Sequence, residues 1–114
     1  MIKIITAPIS KEELKKYAHE TFVGVVKAVV DIEQNIMAIG GELHADEEAI
    51  LIENGSRQKD LWGINIYFDQ PESDWIQFDS MINIRPSLGN KSRTIENEEI
   101  KSKIIKTVKG LVHG

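Results

Sequence analysis

The amino-acid sequence predicts an α+β protein: an antiparallel sheet of four to five strands, with an N-terminal and a C-terminal helix packed on one face. Short segments in which β-branched and polar residues alternate, separated by turn formers, predict the antiparallel strands. A capping box near the N-terminus and helical periodicity at the end of the chain predict the two helices. The length of 114 residues fits a single domain over 1–114.

The two terminal helices have clear sequence signals. After an apolar segment at 2–5 that predicts a short strand, Ser10 and Glu13 form a capping box. A helix is therefore expected from Lys11 to about His19 or Glu20. Asn97 caps the last helix, whose apolar positions recur with the helical period. These positions are Ile100, Ile104, Ile105, Val108, Leu111 and Val112.

A hairpin is predicted in the middle of the first half of the chain. Segment 23–33 is rich in β-branched residues, and Gln34-Asn35 is a plausible two-residue turn because Asn tolerates the left-handed conformation. In that register Val30 faces Ile39. One face is then apolar, and the other carries the carboxylates of Asp31 and Glu33. The apolar face comprises Ala28, Val30, Ile32, Met37 and Ile39.

Three side chains beyond this hairpin are candidate metal ligands. In an unbulged strand Glu42, His44 and Asp46 share the acidic face, with Asp31 and Glu33 nearby and Lys27 opposite Glu42. Carboxylates and an imidazole suit Mg²⁺, Mn²⁺ or Zn²⁺, and a bound metal could activate water for hydrolysis.

A structural interpretation of the same residues competes with the metal site. A bulge at Gly40-Gly41 would reverse the parity of the strand. Asp46 could cap a helix, Glu42 could pair with Lys27, and His44 could fill a polar position. We favour this interpretation, so a divalent metal is not the preferred cofactor. Segment 46–54 fits helix or strand; Asp46 as N-cap and Gly55 as a stop favour a helix.

The second half of the chain predicts another hairpin. Alternating segments at 64–68 and 76–84 flank a loop at 70–74. Because antiparallel sheets often bury one face only, the opposite face is expected to be open and polar. Its residues are Asn65, Tyr67, Gln77, Asp79, Asn83 and Arg85.

Cations and amides near the end of this hairpin form a candidate anion site. Segment 86–94 has no periodicity and is predicted to be a loop. Guanidinium groups and loop amides bind phosphate or carboxylate groups well. The candidates are Asn83, Arg85, Asn90, Lys91 and Arg93. In the alternative interpretation Arg85 pairs with Asp79 or Asp69 across the strands, and the loop is simply solvated.

Three segments carry a family resemblance. Segments 30–46, 60–65 and 78–93 resemble a family of small prokaryotic proteins of about this length, known only as a domain of unknown function. The resemblance covers nearly the whole chain. It implies a stand-alone cytosolic protein and assigns no activity, so no catalytic residue follows from it.

Composition narrows the class of function. A formal charge of −4 argues against a nucleic-acid binder, and no apolar run reaches the roughly 20 residues of a membrane span. The absence of cysteine suits a reducing cytoplasm. The preferred interpretation is a non-catalytic binding or regulatory module. It would recognise an anionic small molecule or a protein through the polar sheet face and the 86–94 loop. The alternative is a metal-dependent hydrolase that uses Glu42, His44 and Asp46.

Overall fold

The computed structural model describes residues 1–18 and 24–113. Its elements are β1 (Lys3–Ile5), β2 (Ile9–Ser10), α1 (Lys11–Lys15), β3 (Val26–Asp31), β4 (Ile36–Ile39), α2 (His44–Glu53), β5 (Leu61–Ile66), β6 (Ile76–Gln77), α3 (Glu98–Leu111) and β7 (Val112–His113). Five strands pair antiparallel in the order β1–β4–β3–β5–β6, as the predicted α+β class requires. Strands β2 and β7 form a separate parallel pair. No helix within the described ranges is long and apolar enough to cross a membrane.

The β3–β4 hairpin has a longer turn than predicted. Val30 pairs with Met37 rather than Ile39, and Asp31 pairs with Ile36. The cause is the buried carboxylate of Asp31, whose Oδ1 accepts hydrogen bonds from the amides of residues 33 and 34, at 2.9 Å each. This Asx-type cap makes the turn begin directly after Asp31. Asn35 adopts the left-handed conformation, with a φ of 58°.

The sheet is apolar on both faces over most of its area. Alternate residues of β3 and β4 pack with Leu14 of α1 and Ile104 and Val108 of α3. The intervening residues Val29 and Ala38 pack with Leu51 of α2 and with Leu61. The expectation of a wholly open polar face is therefore wrong, because the 46–54 segment folds as a helix and covers that face.

The helix boundaries confirm some of the predicted caps. Ser10 Oγ accepts from the Glu13 amide at 3.1 Å, and Asn97 Oδ1 accepts from the Ile100 amide at 3.0 Å. Helix α1 ends at Lys15, and the predicted end at His19 or Glu20 lies outside the described residues. In α2, Leu43 rather than Asp46 holds the N-cap position, and it provides no side-chain cap.

The predicted strand at 76–84 is only two residues long. After Gln77 the chain leaves the sheet and forms short 3-10 turns at Met81–Asn83 and Pro86–Leu88. Ser80 lies directly over Gly63 of β5, where a β-carbon on residue 63 would be 2.6 Å from Ser80 Cβ. The close approach of this turn to β5 thus requires a glycine at position 63.

Candidate functional site

The structure separates the three candidate metal ligands. Glu42 lies in the bend after β4, His44 is the first residue of α2, and Asp46 is in the first helical turn. The spacing that would align them on a strand does not align them on a helix. Within the described ranges, no group of three or more His, Asp or Glu side chains is arranged to hold a metal ion.

Two of the five anion-binding candidates have their amides engaged inside the protein. The buried amide of Asn83 bonds to both the N–H and the carbonyl of Gly63, at 2.8 and 2.9 Å. Nδ2 of the buried Asn90 donates to the carbonyls of Asn83, Ser92 and Thr94. These side chains brace the 80–96 region, and the geometry gives them a structural role.

Arg85 also makes internal contacts. Its guanidinium donates to the Leu61 carbonyl and to Glu48 Oε2, the latter at 2.8 Å, and lies 5.1 Å from the centre of the Trp62 ring. Burial lowers the pKa of Arg85, while Glu48 opposes that effect. Its carboxylate partner is therefore on α2, and not the predicted Asp79 or Asp69, because α2 covers this part of the sheet.

A cleft opens where α2 and the Ser80 turn leave the second sheet face uncovered. It has a volume of about 310 Å³. Lys27 and Asn65, which are paired across β3 and β5, are at adjacent positions of its lining. The remaining lining comes from the start of α2 and from the 79–82 segment with Arg93: Leu43, His44, Ala45, Asp79, Ser80, Met81, Ile82 and Arg93.

His44 is held in one orientation in this cleft. Its Nε2 lies 2.7 Å from the Ile64 carbonyl oxygen, so Nε2 carries the proton and donates. Burial lowers the pKa of His44 below 6.5, more than the Ile64 carbonyl raises it. The imidazole is therefore neutral at pH 7, and its Nδ1 carries a lone pair that no described residue uses.

The cations of the cleft are Lys27 and Arg93. Arg93 Nε donates to Asp79 Oδ1 at 2.8 Å, in a pair whose side chains are both more than half exposed. Exposed pairs of this kind contribute little stability, so a ligand can compete for the guanidinium. Asn65 Nδ2 donates to the Asp79 carbonyl at 3.1 Å, whereas its buried Oδ1 finds no partner within the part of the chain that the structure describes.

A buried carboxyl lies one helical turn beyond His44. Glu47 is fully buried, and its Oε2 accepts from the Gly41 amide at 2.9 Å, while Oε1 has no hydrogen-bond partner among the described residues. Burial raises the pKa of Glu47 from 4.5 to about 9, against the smaller effect of the Gly41 hydrogen bond. Glu47 is therefore protonated at neutral pH, and it adds no negative charge near the cleft.

Part of the predicted polar face does exist beside the cleft. Asn65, Tyr67, Gln77 and Asp79 line an adjoining hollow of about 420 Å³. Asn83 and Arg85 do not belong to it, because the chain leaves the sheet after Gln77. The polar surface is thus confined to the β5–β6 end of the sheet.

Comparison with known proteins assigns the chain to a family. A profile described as "Protein of unknown function (DUF5674)" matches residues 3–111. The chain belongs to the DUF5674 family. No curated protein and no solved structure matches it. Membership of the DUF5674 family assigns no activity to this protein.

His44 and Arg93 of this DUF5674 protein were candidates from the sequence, whereas the cleft that both residues line was not predicted. A signal was present at Lys27, a single cation within the apolar run 25–30. A single charged residue within an otherwise apolar strand indicates that the helices and loops packed on that face of the sheet do not cover this position. Asn65, which is paired with Lys27, interrupts β5 at the same place.

Proposed function

We propose that this protein is a non-catalytic binding module that holds a small organic anion in the cleft between α2 and the 79–82 segment. The ligand class is the one predicted from the sequence, and of the predicted surface, which combined the polar sheet face with the 86–94 loop, the cleft includes Asn65, Asp79 and Arg93. A volume of about 310 Å³ is in the range of small-molecule pockets.

The observation that carries the proposal is the charge of the cleft lining. Lys27 and Arg93 are positive, Asp79 is negative, and His44 is neutral at pH 7. The ionisable side chains of the lining therefore carry one net positive charge, in a chain whose formal charge is −4. Leu43, Met81 and Ile82 add apolar surface, which suits an anion with a small apolar part.

The test is isothermal titration calorimetry with propionate and ethyl phosphate. Lys27→Gln should weaken binding of both anions, because it removes a cation from the site. Asp79→Asn should strengthen binding, because the competing carboxylate is lost while the amide can still contact Arg93. Lys106→Gln, on the exposed side of α3, is the matched control for overall charge and should leave the affinity unchanged.

Two results would contradict the proposal. The first is the absence of binding of either anion, and the second is equal weakening by Lys27→Gln and Lys106→Gln. The latter would indicate general attraction to a basic surface instead of a site. Ethylammonium chloride is the ligand control, and it should not bind.

No observation favours the hydrolase alternative over this proposal. A metal site of Glu42, His44 and Asp46 stays a sequence hypothesis, with calorimetry in Mn²⁺ and Zn²⁺ as its test. A cytoplasmic location in a prokaryotic cell is also part of our proposal. The absence of cysteine supports the cytoplasmic location, since proteins of reducing compartments do not need disulfides.

A further inference from the structure

We propose that the anion bound in the cleft carries a hydroxyl group next to its charged group, and that this hydroxyl donates a hydrogen bond to Nδ1 of His44. This inference rests on the proposed function and narrows its ligand class to hydroxylated carboxylates or phosphate monoesters. Simple carboxylates and alkyl phosphates without a hydroxyl would then be weaker ligands.

The orientation of His44 decides which ring atom a ligand meets. A carbonyl oxygen can only accept, so the 2.7 Å contact with Ile64 fixes the proton on Nε2. Among the described residues, the hydrogen bond of the ring is the one that Nε2 makes, so Nδ1 is left as an acceptor. His44 is partly exposed and lines the cleft, where a ligand can reach this acceptor.

The other residues of the cleft lining determine which group of a ligand can lie beside Nδ1. The anionic group of the ligand belongs with Lys27 and Arg93, and an anionic oxygen placed against Nδ1 would be repelled by its lone pair. A neutral donor is required there, and a hydroxyl is the smallest group that provides one. A ligand with an anionic group and an adjacent hydroxyl therefore satisfies both the cations and the imidazole.

Two matched pairs of ligands test this inference at pH 7.5. Lactate and propionate differ by one hydroxyl, as do 2-hydroxyethyl phosphate and ethyl phosphate. A net hydrogen bond of about 1 kcal/mol corresponds to roughly a fivefold difference in affinity. We expect the hydroxylated member of at least one pair to bind roughly three- to tenfold more tightly, as measured by calorimetry.

His44→Gln isolates the acceptor. A glutamine amide can replace Nε2 as the donor to Ile64, but it has no atom at Nδ1, so the preference for the hydroxyl should disappear while anion binding persists. His113→Gln, at an exposed histidine of β7, is the matched control and should keep the preference. Nitrogen-15 NMR of the parent protein gives a second readout. The Nδ1 resonance of His44 should move with the hydroxylated ligand and much less with its partner.

The other possible results separate a failure of this inference from a failure of the proposed function. Equal affinity within both pairs would overturn the inference and leave the proposed function standing. A hydroxyl preference that survives in His44→Gln would also overturn it, because the hydroxyl would then contact another residue. If none of the four anions binds, the proposed function fails and the inference fails with it. If His44→Gln does not fold, the Nδ1 resonance of the parent decides the question.

Discussion

His44 and Glu47 show how burial selects the neutral form of an ionisable residue. They lie three residues apart on α2, facing the sheet, and burial moves the pKa of each toward its uncharged state. The imidazole has a backbone partner for its one N–H, whereas the described residues provide a partner for one of the two carboxyl oxygens. Glu47 is therefore a residue whose ionisation costs stability.

Glu47→Gln should stabilise the protein at alkaline pH. With a pKa of about 9 in the folded state and 4.5 as its ordinary value, Glu47 holds an extra proton in the folded protein between these pH values. The free energy of unfolding of the parent should therefore fall as pH rises from about 4.5 to about 9. Glutamine is neutral at every pH, so the free energy of unfolding of the variant should not show this decrease. We expect the free energy of unfolding of the variant to exceed that of the parent by several kcal/mol at pH 9, since each pKa unit between 4.5 and about 9 corresponds to about 1.36 kcal/mol.

Urea denaturation at pH 5, 7 and 9 measures this effect. Glu53→Gln, at the exposed end of the same helix, is the control and should follow the parent at every pH. A parent protein and Glu47→Gln variant with parallel pH profiles would show that the buried carboxyl ionises freely in the folded state.

At the scale of single elements, side chains take the place of backbone hydrogen bonds along the part of β5 that the short strand β6 does not reach. Strand β6 pairs only with Asn65 and Ile66. Nearer the start of β5, Asn83 bonds to both backbone groups of Gly63, and Arg85 donates to the Leu61 carbonyl. These side chains satisfy strand groups that a longer β6 would otherwise have paired.

Gly63→Ala tests how closely this replacement layer approaches β5. The new methyl group would lie 2.6 Å from Ser80 Cβ, so the 80–82 turn must move. We expect a loss of roughly 1–3 kcal/mol in the free energy of unfolding, as for other overpacked positions. Gly110→Ala in α3 is the matched control, because no described atom outside the neighbouring residues and the backbone of its own helix lies within 4 Å of the new methyl group. It should gain up to about 1 kcal/mol from helix propensity. Equal effects of the two substitutions would contradict the close approach.

The secondary structure that the sequence predicted correctly depends on local signals. The caps of α1 and α3 and the left-handed Asn35 each involve residues within a few positions of one another. The alternation over 76–84 misled because hydrophobic period alone does not show whether a strand partner is present. Asn83 contacts Gly63, twenty positions earlier, and no local pattern encodes that contact.

The candidate site was predictable only in part, for a related reason. His44 and Arg93 were recognised by residue type, but their meeting depends on α2 crossing the second face of the sheet. The register of the β3–β4 hairpin depended on a side-chain cap from Asp31, which a turn rule based on Gln34 and Asn35 does not include. Tertiary contacts, rather than propensities, determine both features.

At the scale of the whole molecule, α3 is expected to be essential to the main core. Ile104 is fully buried among residues of the first sheet face. Ile104→Ala should lower the free energy of unfolding by roughly 2–5 kcal/mol, the usual cost of deleting a buried aliphatic side chain. Ile52→Ala, at a side chain that is 42% exposed on α2, should cost much less. A melting temperature of Ile104→Ala equal to that of the parent would show that α3 is not packed as described.

The same denaturation curves bear on domain organisation. A single domain over residues 1–114 stays a prediction from chain length. It requires that the clusters on the two sheet faces unfold in one transition. Fluorescence of the two tryptophans and circular dichroism should therefore give coincident curves. Two separated transitions would contradict it.

The side-chain cover of β5 has a consequence for how copies of this protein meet one another in concentrated solution. A strand edge with free N–H and carbonyl groups is a template on which another chain can add a strand and begin aggregation. At Gly63 both groups are already bonded to a side-chain amide, and at Leu61 the carbonyl is bonded to a guanidinium. The side chains of Asn83 and Arg85 therefore occupy backbone groups of β5 to which a strand of another molecule could otherwise bind. Strand β6 can thus be short without leaving this edge of β5 open to aggregation.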